Sequence, residues 1–155
     1  MSPIVTKIES LGIEIPEAKT PAGAAYVPYT LHNGIVTISG QLPMQNGALT
    51  HVGKLGRDFT VEEGKECARI CGLNLLSQLR AACDGDLSRV QKTLRLGIFV
   101  NSTDDFTEAS LVANGVSELI KEIFGKAGAH ARAAVNTAQL PLGAAVEVEA
   151  TFVIE

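Results

Sequence analysis

Along Val146–Ile154 every second residue is apolar: Val146, Val148, Ala150, Phe152 and Ile154, with Glu147, Glu149 and Thr151 between them. A period of two marks a strand with one face in a core and the other outside it. Only two long helical segments accompany the strands, and two helices can cover only one face of such a sheet. The chain is therefore read as a sheet covered on one face.

The cover comes from two helical segments. Thr60-Val61-Glu62-Glu63 has the layout of a capping box, with a hydroxyl at the N-cap and a carboxylate three residues on. Cys67, Ala68, Cys71, Leu75, Leu76, Leu79 and Ala82 then recur at helical spacing to about Cys83. A second long helix is predicted over about Asp104–Phe124, with Asp104 near its positive end and Gly125 just past it. Ser2-Pro3 opens a short helix to about Leu11. The Pro-, Ala- and Gly-containing stretch Ile15–Ala25 reads as an irregular arm.

Strands are predicted at Tyr26–Leu31 and Ile35–Ser39, joined by Asn33-Gly34, a hairpin signal because both turn residues accept positive φ. Asn46-Gly47 marks a second tight turn before a short strand at Leu49–Val52. Val90–Asn101 is a long strand with Leu94, Leu96, Ile98 and Val100 on one face. Ala131–Thr137 precedes the last strand. The order gives an α+β class: a mixed β-sheet with two long helices on one face. One domain is expected over residues 1–155, with an N-terminal extension at about 1–25. The uncovered face, carrying Glu147, Glu149 and Arg132 among small residues, predicts burial against another subunit.

A net charge of −4 argues against a broad phosphate-binding surface, and two Tyr, five Phe and no Trp supply few stacking platforms. Nucleic acid is thus not the expected partner. No apolar run is long enough for a membrane span, and Met-Ser-Pro-Ile-Val-Thr-Lys lacks the layout of a signal peptide. Three cysteines, Cys67, Cys71 and Cys83, read as free thiols in a cytosolic protein. They fall in the apolar stripe, without the further ligands a metal site needs. The glycines form neither a phosphate loop nor a dinucleotide fingerprint.

Arg132 is the leading candidate for chemistry. Its guanidinium emerges from Ala131-Arg132-Ala133-Ala134-Val135, and its planar fork of donors matches a carboxylate. The structural alternative is an ion pair with Glu147 or Glu149. Those two carboxylates share a strand face; they could serve as acid and base if their surroundings differ, or simply be polar teeth at a subunit contact. His130, two residues before Arg132, is either a proton-transfer group or an incidental loop histidine.

Tyr26-Val27-Pro28, Ile38-Ser39-Gly40-Gln41-Leu42-Pro43, Val100-Asn101, Asp105-Phe106, Ala131-Arg132, Leu140-Pro141 and Val146-Glu147-Val148-Glu149-Ala150 occur in an order and spacing that resembles the Rid family of YjgF-like proteins. The resemblance runs from about Tyr26 to the C-terminus. It implies a chorismate-mutase-like fold, a homotrimer whose sheets form a central barrel, and clefts between subunits. It also implies cofactor-free hydrolysis of 2-imino or 2-enamino acids to 2-oxo acids and ammonia, the ligand being a small carboxylate-bearing metabolite.

By the same resemblance, Arg132 binds the substrate carboxylate and Glu147 orients the attacking water. Tyr26, Ser39 and Gly40 line the cleft. Ala134 takes the place of a cysteine that deaminating members often carry two residues after the arginine, and His130 stands where many members have proline. Binding of a small acid without turnover, and a ribonuclease or translation-inhibitor activity, are the rival functions.

Overall fold

The computed structural model describes residues 1–155. In chain order the elements are α1 (Pro3–Ser10), β1 (Tyr29–His32), β2 (Ile35–Gln41), β3 (Met44–Gln45), β4 (Ala48–Leu49), α2 (Val61–Ala82), β5 (Val90–Asn101), α3 (Ala109–Phe124), β6 (Ala131–Thr137) and β7 (Val146–Ile154). A five-stranded sheet has the order β1-β2-β7-β5-β6; β3 and β4 make a separate small hairpin. Only the β5–β6 pair is parallel, so the sheet is mixed. The parallel pair needs a crossover, which α3 supplies.

Both turns announced by Asn-Gly are present. Asn33 and Gly34 have φ of 50° and 75°, Asn46 and Gly47 of 52° and 80°. The capping box is complete: Thr60 Oγ1 accepts from the Glu63 amide, and the Glu63 carboxylate accepts from the Thr60 amide.

α2 and α3 pack side by side on one face of the sheet, over Val146, Val148, Ala150, Phe152, Leu96 and Ile98, in a core of 29 buried residues. The helices touch most closely at Gly115, where a Cβ would stand 1.9 Å from the Lys65 carbonyl oxygen. Across the sheet, Ile35, Thr37, Arg95, Gly97, Phe99, Ala133, Val135, Glu147 and Glu149 form the uncovered face, as cross-strand partners show. Ile35 and Val135 are exposed there. No helix is long and apolar enough to cross a membrane.

Five expectations change. Leu94 does not join the core: β5 slips register against β7 between Val90 and Lys92 and again between Thr93 and Arg95. Each irregularity flips the alternation, so Thr93 turns inward and Leu94 outward. The second long helix begins at Ala109, not Asp104. The preceding residues are tied elsewhere: the Thr103 amide donates to Leu55, Thr103 Oγ1 donates to Asp105, and the Asn136 side chain donates to the Phe106 carbonyl. The first hairpin strand starts at Tyr29, and the strand after Asn46-Gly47 is only Ala48–Leu49.

The fifth change matters most. Arg132 lies opposite Leu96, a fully buried residue of the helix-covered face, and not beside Glu147 and Glu149. Ala131 and Ala133 take the outer positions of that edge strand.

Candidate functional site

Glu147 sits on the outer face of β7, at the point where β2 breaks its pairing between Ile38 and Gln41. That break places Gly40 against the carboxylate, and a Cβ on Gly40 would come 2.3 Å from Glu147 Oε1. Ser39 in turn fixes the preceding segment. Its amide donates to the Pro28 carbonyl at 2.9 Å and its hydroxyl to the Val27 carbonyl at 2.7 Å. Tyr26, Pro28, Ser39, Gly40 and Glu147 thereby line one cavity of about 970 Å³, which continues between α2 and the arm at Gly12–Pro21. The arm is a fixed wall: Gln78 donates to the Lys19 carbonyl, and Arg80 to those of Ile15 and Pro16.

The two carboxylates of β7 have different surroundings. Glu149 lies 3.4 Å from Arg95. Glu147 has no cation beside it. Burial, with a smaller contribution from the neighbouring Glu149 charge, holds its carboxyl above the ordinary carboxylate range. A half-buried carboxylate with a raised pKa is a stronger base than a solvated one.

Arg132 reaches into α3. Nη1 donates to Asn114 Oδ1 at 2.9 Å and to Ser117 Oγ at 3.0 Å; Nη2 donates to the Ser110 carbonyl at 2.9 Å and to Ser110 Oγ at 3.1 Å. Every one of these acceptors is neutral. No carboxylate pairs with Arg132. The ion pair weighed from the sequence is absent, and the guanidinium keeps its charge uncompensated within the chain.

Arg132 and Glu147 are therefore not brought together within the chain. β6 is the sheet edge, two strands from β7, and the two side chains leave opposite faces. Tyr26, Ser39 and Gly40 join Glu147. Ala134 and His130 join Arg132: Ala134 lies half-buried opposite Ile98 on the covered face, and His130 Nε2 is 2.9 Å from Ser117 Oγ. Cys67, Cys71 and Cys83 are buried; Cys71 Sγ donates to the Val146 carbonyl beside Glu147 at 3.5 Å, and burial pushes its thiol well up.

Ser110, Asn114 and Ser117 escape a reading by residue type. Their signal is positional: at i, i+4 and i+7 they make a polar stripe along a helix that is otherwise largely apolar.

Comparison with known proteins agrees with this architecture. Protein TCP17 of Trypanosoma cruzi is 47% identical over 148 residues, 95% of this chain and 91% of that protein. The crystal structure of Atu1372 from Agrobacterium tumefaciens is 41% identical with a TM-score of 0.91, covering 98% of this chain and 92% of that one. At the level of fold alone, E. coli TdcF, solved with bound serine, superposes with a TM-score of 0.62 at 21% identity, covering 90% and 94%. The family described as "YjgF/chorismate mutase-like, putative endoribonuclease" matches residues 5–151. On that match and on the TCP17 relationship, the chain belongs to the YjgF/chorismate mutase-like family.

Proposed function

We propose that this protein hydrolyses 2-imino or 2-enamino acids to 2-oxo acids and ammonia, in clefts shared between the subunits of a cytosolic homotrimer. The observation that carries the proposal is Arg132: held by four hydrogen bonds to neutral acceptors, it offers an unspent positive charge at a sheet edge. A substrate carboxylate supplies the missing anion. Glu147 supports the second half. Beside the glycine floor it has no cation partner and a raised pKa, which suits a general base.

A 2-enamino acid enters the reaction as its imine tautomer, its β-carbon gaining a proton and its nitrogen losing one; with the carboxylate on Arg132 of one subunit, the C=N carbon lies over Gly40 and Glu147 of the next. Glu147 takes a proton from water as the oxygen bonds to the C=N carbon, and the imine nitrogen takes up a proton. The carbinolamine then collapses: Glu147 gives its proton to the amino nitrogen, the hydroxyl proton leaves to solvent, C=O forms, the C–N bond breaks, ammonia departs and the carboxylate is restored. Orientation is the main contribution, since two reacting partners are fixed in one cleft. Nothing in a net charge of −4 and an absence of Trp supports the ribonuclease activity in the family's description.

The test generates 2-aminoacrylate in situ and follows its decay. Wild-type protein accelerates it, and Arg132→Ala loses about ten- to a hundredfold in kcat/KM, the worth of a charged hydrogen bond. Unchanged kinetics in Arg132→Ala would sink the mechanism. The serine bound by TdcF favours one second reading, capture of small amino or oxo acids without turnover. A wild type that turns over no imino acid, with Glu147→Gln binding as tightly as wild type, would select it.

A further inference from the structure

Arg132 is fixed by a chain of hydrogen bonds that runs through α3 to His130. Ser117 Oγ lies 3.0 Å from Arg132 Nη1 and 2.9 Å from His130 Nε2, and His130 Nδ1 lies 2.7 Å from the Gly128 carbonyl oxygen. A carbonyl only accepts, so Nδ1 carries a proton and, in the neutral ring, Nε2 is the acceptor. The Ser117 hydroxyl then donates to His130, which leaves its lone pairs for Arg132. Each atom has one role: Arg132 donates to Ser117, Ser117 to His130, and His130 to Gly128. The far end is stiff, because Gly128 is buried and packs on α3 so closely that a Cβ would meet the Ile120 carbonyl at 2.5 Å.

We propose that Ser117 and His130 are positioning residues for Arg132, setting which edge of its guanidinium meets the substrate. This rests on the carboxylate-anchoring role proposed above. Both Nη groups are turned to α3, so the edge bearing Nε–H is the one with no partner in the chain. An unrestrained arginine samples many rotamers; one held at Nη1 and Nη2 has already lost that freedom before ligand arrives. The holders are all neutral, so orientation is gained without spending the charge.

The test measures KM and kcat on 2-aminoacrylate generated in situ, and the Kd of pyruvate as a non-reacting carboxylate. His130→Phe keeps the ring and removes both nitrogens; His130→Gln keeps an amide able to accept from Ser117; Ser117→Ala removes the link. His130→Phe and Ser117→Ala are expected to raise KM and the pyruvate Kd about tenfold, with kcat within about twofold, and His130→Gln to recover most of the affinity. Ser117 is nearly buried, so if Ser117→Ala does not fold, the His130 pair alone decides.

Wild-type KM and Kd in folded His130→Phe, a loss confined to kcat, or His130→Gln no better than His130→Phe would each overturn the proposal. Arg132→Ala, run in parallel, separates the two levels. If Arg132→Ala leaves the pyruvate Kd unchanged, the carboxylate anchor itself fails. If Arg132→Ala loses affinity while His130→Phe does not, only the relay fails.

Discussion

Gly40 has no side chain because the Glu147 carboxylate occupies the place where one would be. Gly40→Ala must push that carboxylate off its position over the cleft. Its expected effect is a fall in kcat of about ten- to a hundredfold with KM little changed, since the Arg132 anchor is untouched; wild-type kcat would show that the carboxylate is not placed for catalysis. The raised pKa of Glu147 has a second consequence. The base must be ionised to act, so the acid limb of kcat/KM lies above the ordinary glutamate value of 4.5. The same shift is linked to stability. The folded state holds the proton more tightly than the unfolded chain, so the contribution is present below 4.5 and is lost as pH rises through the folded value. Glu147→Gln removes that slope and is expected to be at least as stable as wild type at neutral pH, by thermal unfolding across pH. Arg132 and Glu147 stand out in the sequence as charged residues within strands of small and apolar ones, and their proposed roles come from the family resemblance. Ser117 does not, because a serine in a helix acquires meaning only from the strand residue that reaches it.

Elements are positioned by small details of packing. Thr93 is turned inward by the β5 irregularity, and its hydroxyl is buried without a partner. Thr93→Val keeps the shape and removes the orphaned group, so it is expected to raise stability by about 1–2 kcal/mol in chemical unfolding. Gly115→Ala does the opposite. Its Cβ would collide with backbone, which cannot rotate away as a side chain can, and α2 and α3 would have to separate. A loss of about 3 kcal/mol or more is expected, with Arg132 loosened as α3 moves. The long strands and α2 were readable because alternation and the capping box are local rules. The start of α3 and the inward turn of Thr93 were not. Both depend on hydrogen bonds and register with distant strands, and a β-bulge leaves no mark on hydrophobic pattern except a phase change. That phase logic also explains Arg132, whose face is set by pairing with Leu96 and by the helix above it.

The proposed cleft needs two residues that one chain keeps apart. In one chain Arg132 and Glu147 leave opposite faces of the sheet, with the β5 strand between their own. No side-chain rotation brings them together. The uncovered face, with Ile35 and Val135 exposed on it, supports contact with other copies, and a closed ring would set the β6 edge of one copy against the Glu147 cavity of the next. This arrangement predicts complementation. Arg132→Ala and Glu147→Gln are each expected to lose at least nine tenths of the activity alone, about ten- to a hundredfold for the arginine variant. When the two are unfolded, mixed in equal amounts and refolded together, each cleft draws its arginine and its glutamate from independent subunits. The arginine is intact in half of the draws and so is the glutamate, so about one quarter of the clefts are whole and about a quarter of wild-type activity returns. Mixing the variants without unfolding returns none of it until subunits exchange. A site built within one chain gives a different result: every chain carries one lesion, and no mixture recovers activity however it is prepared.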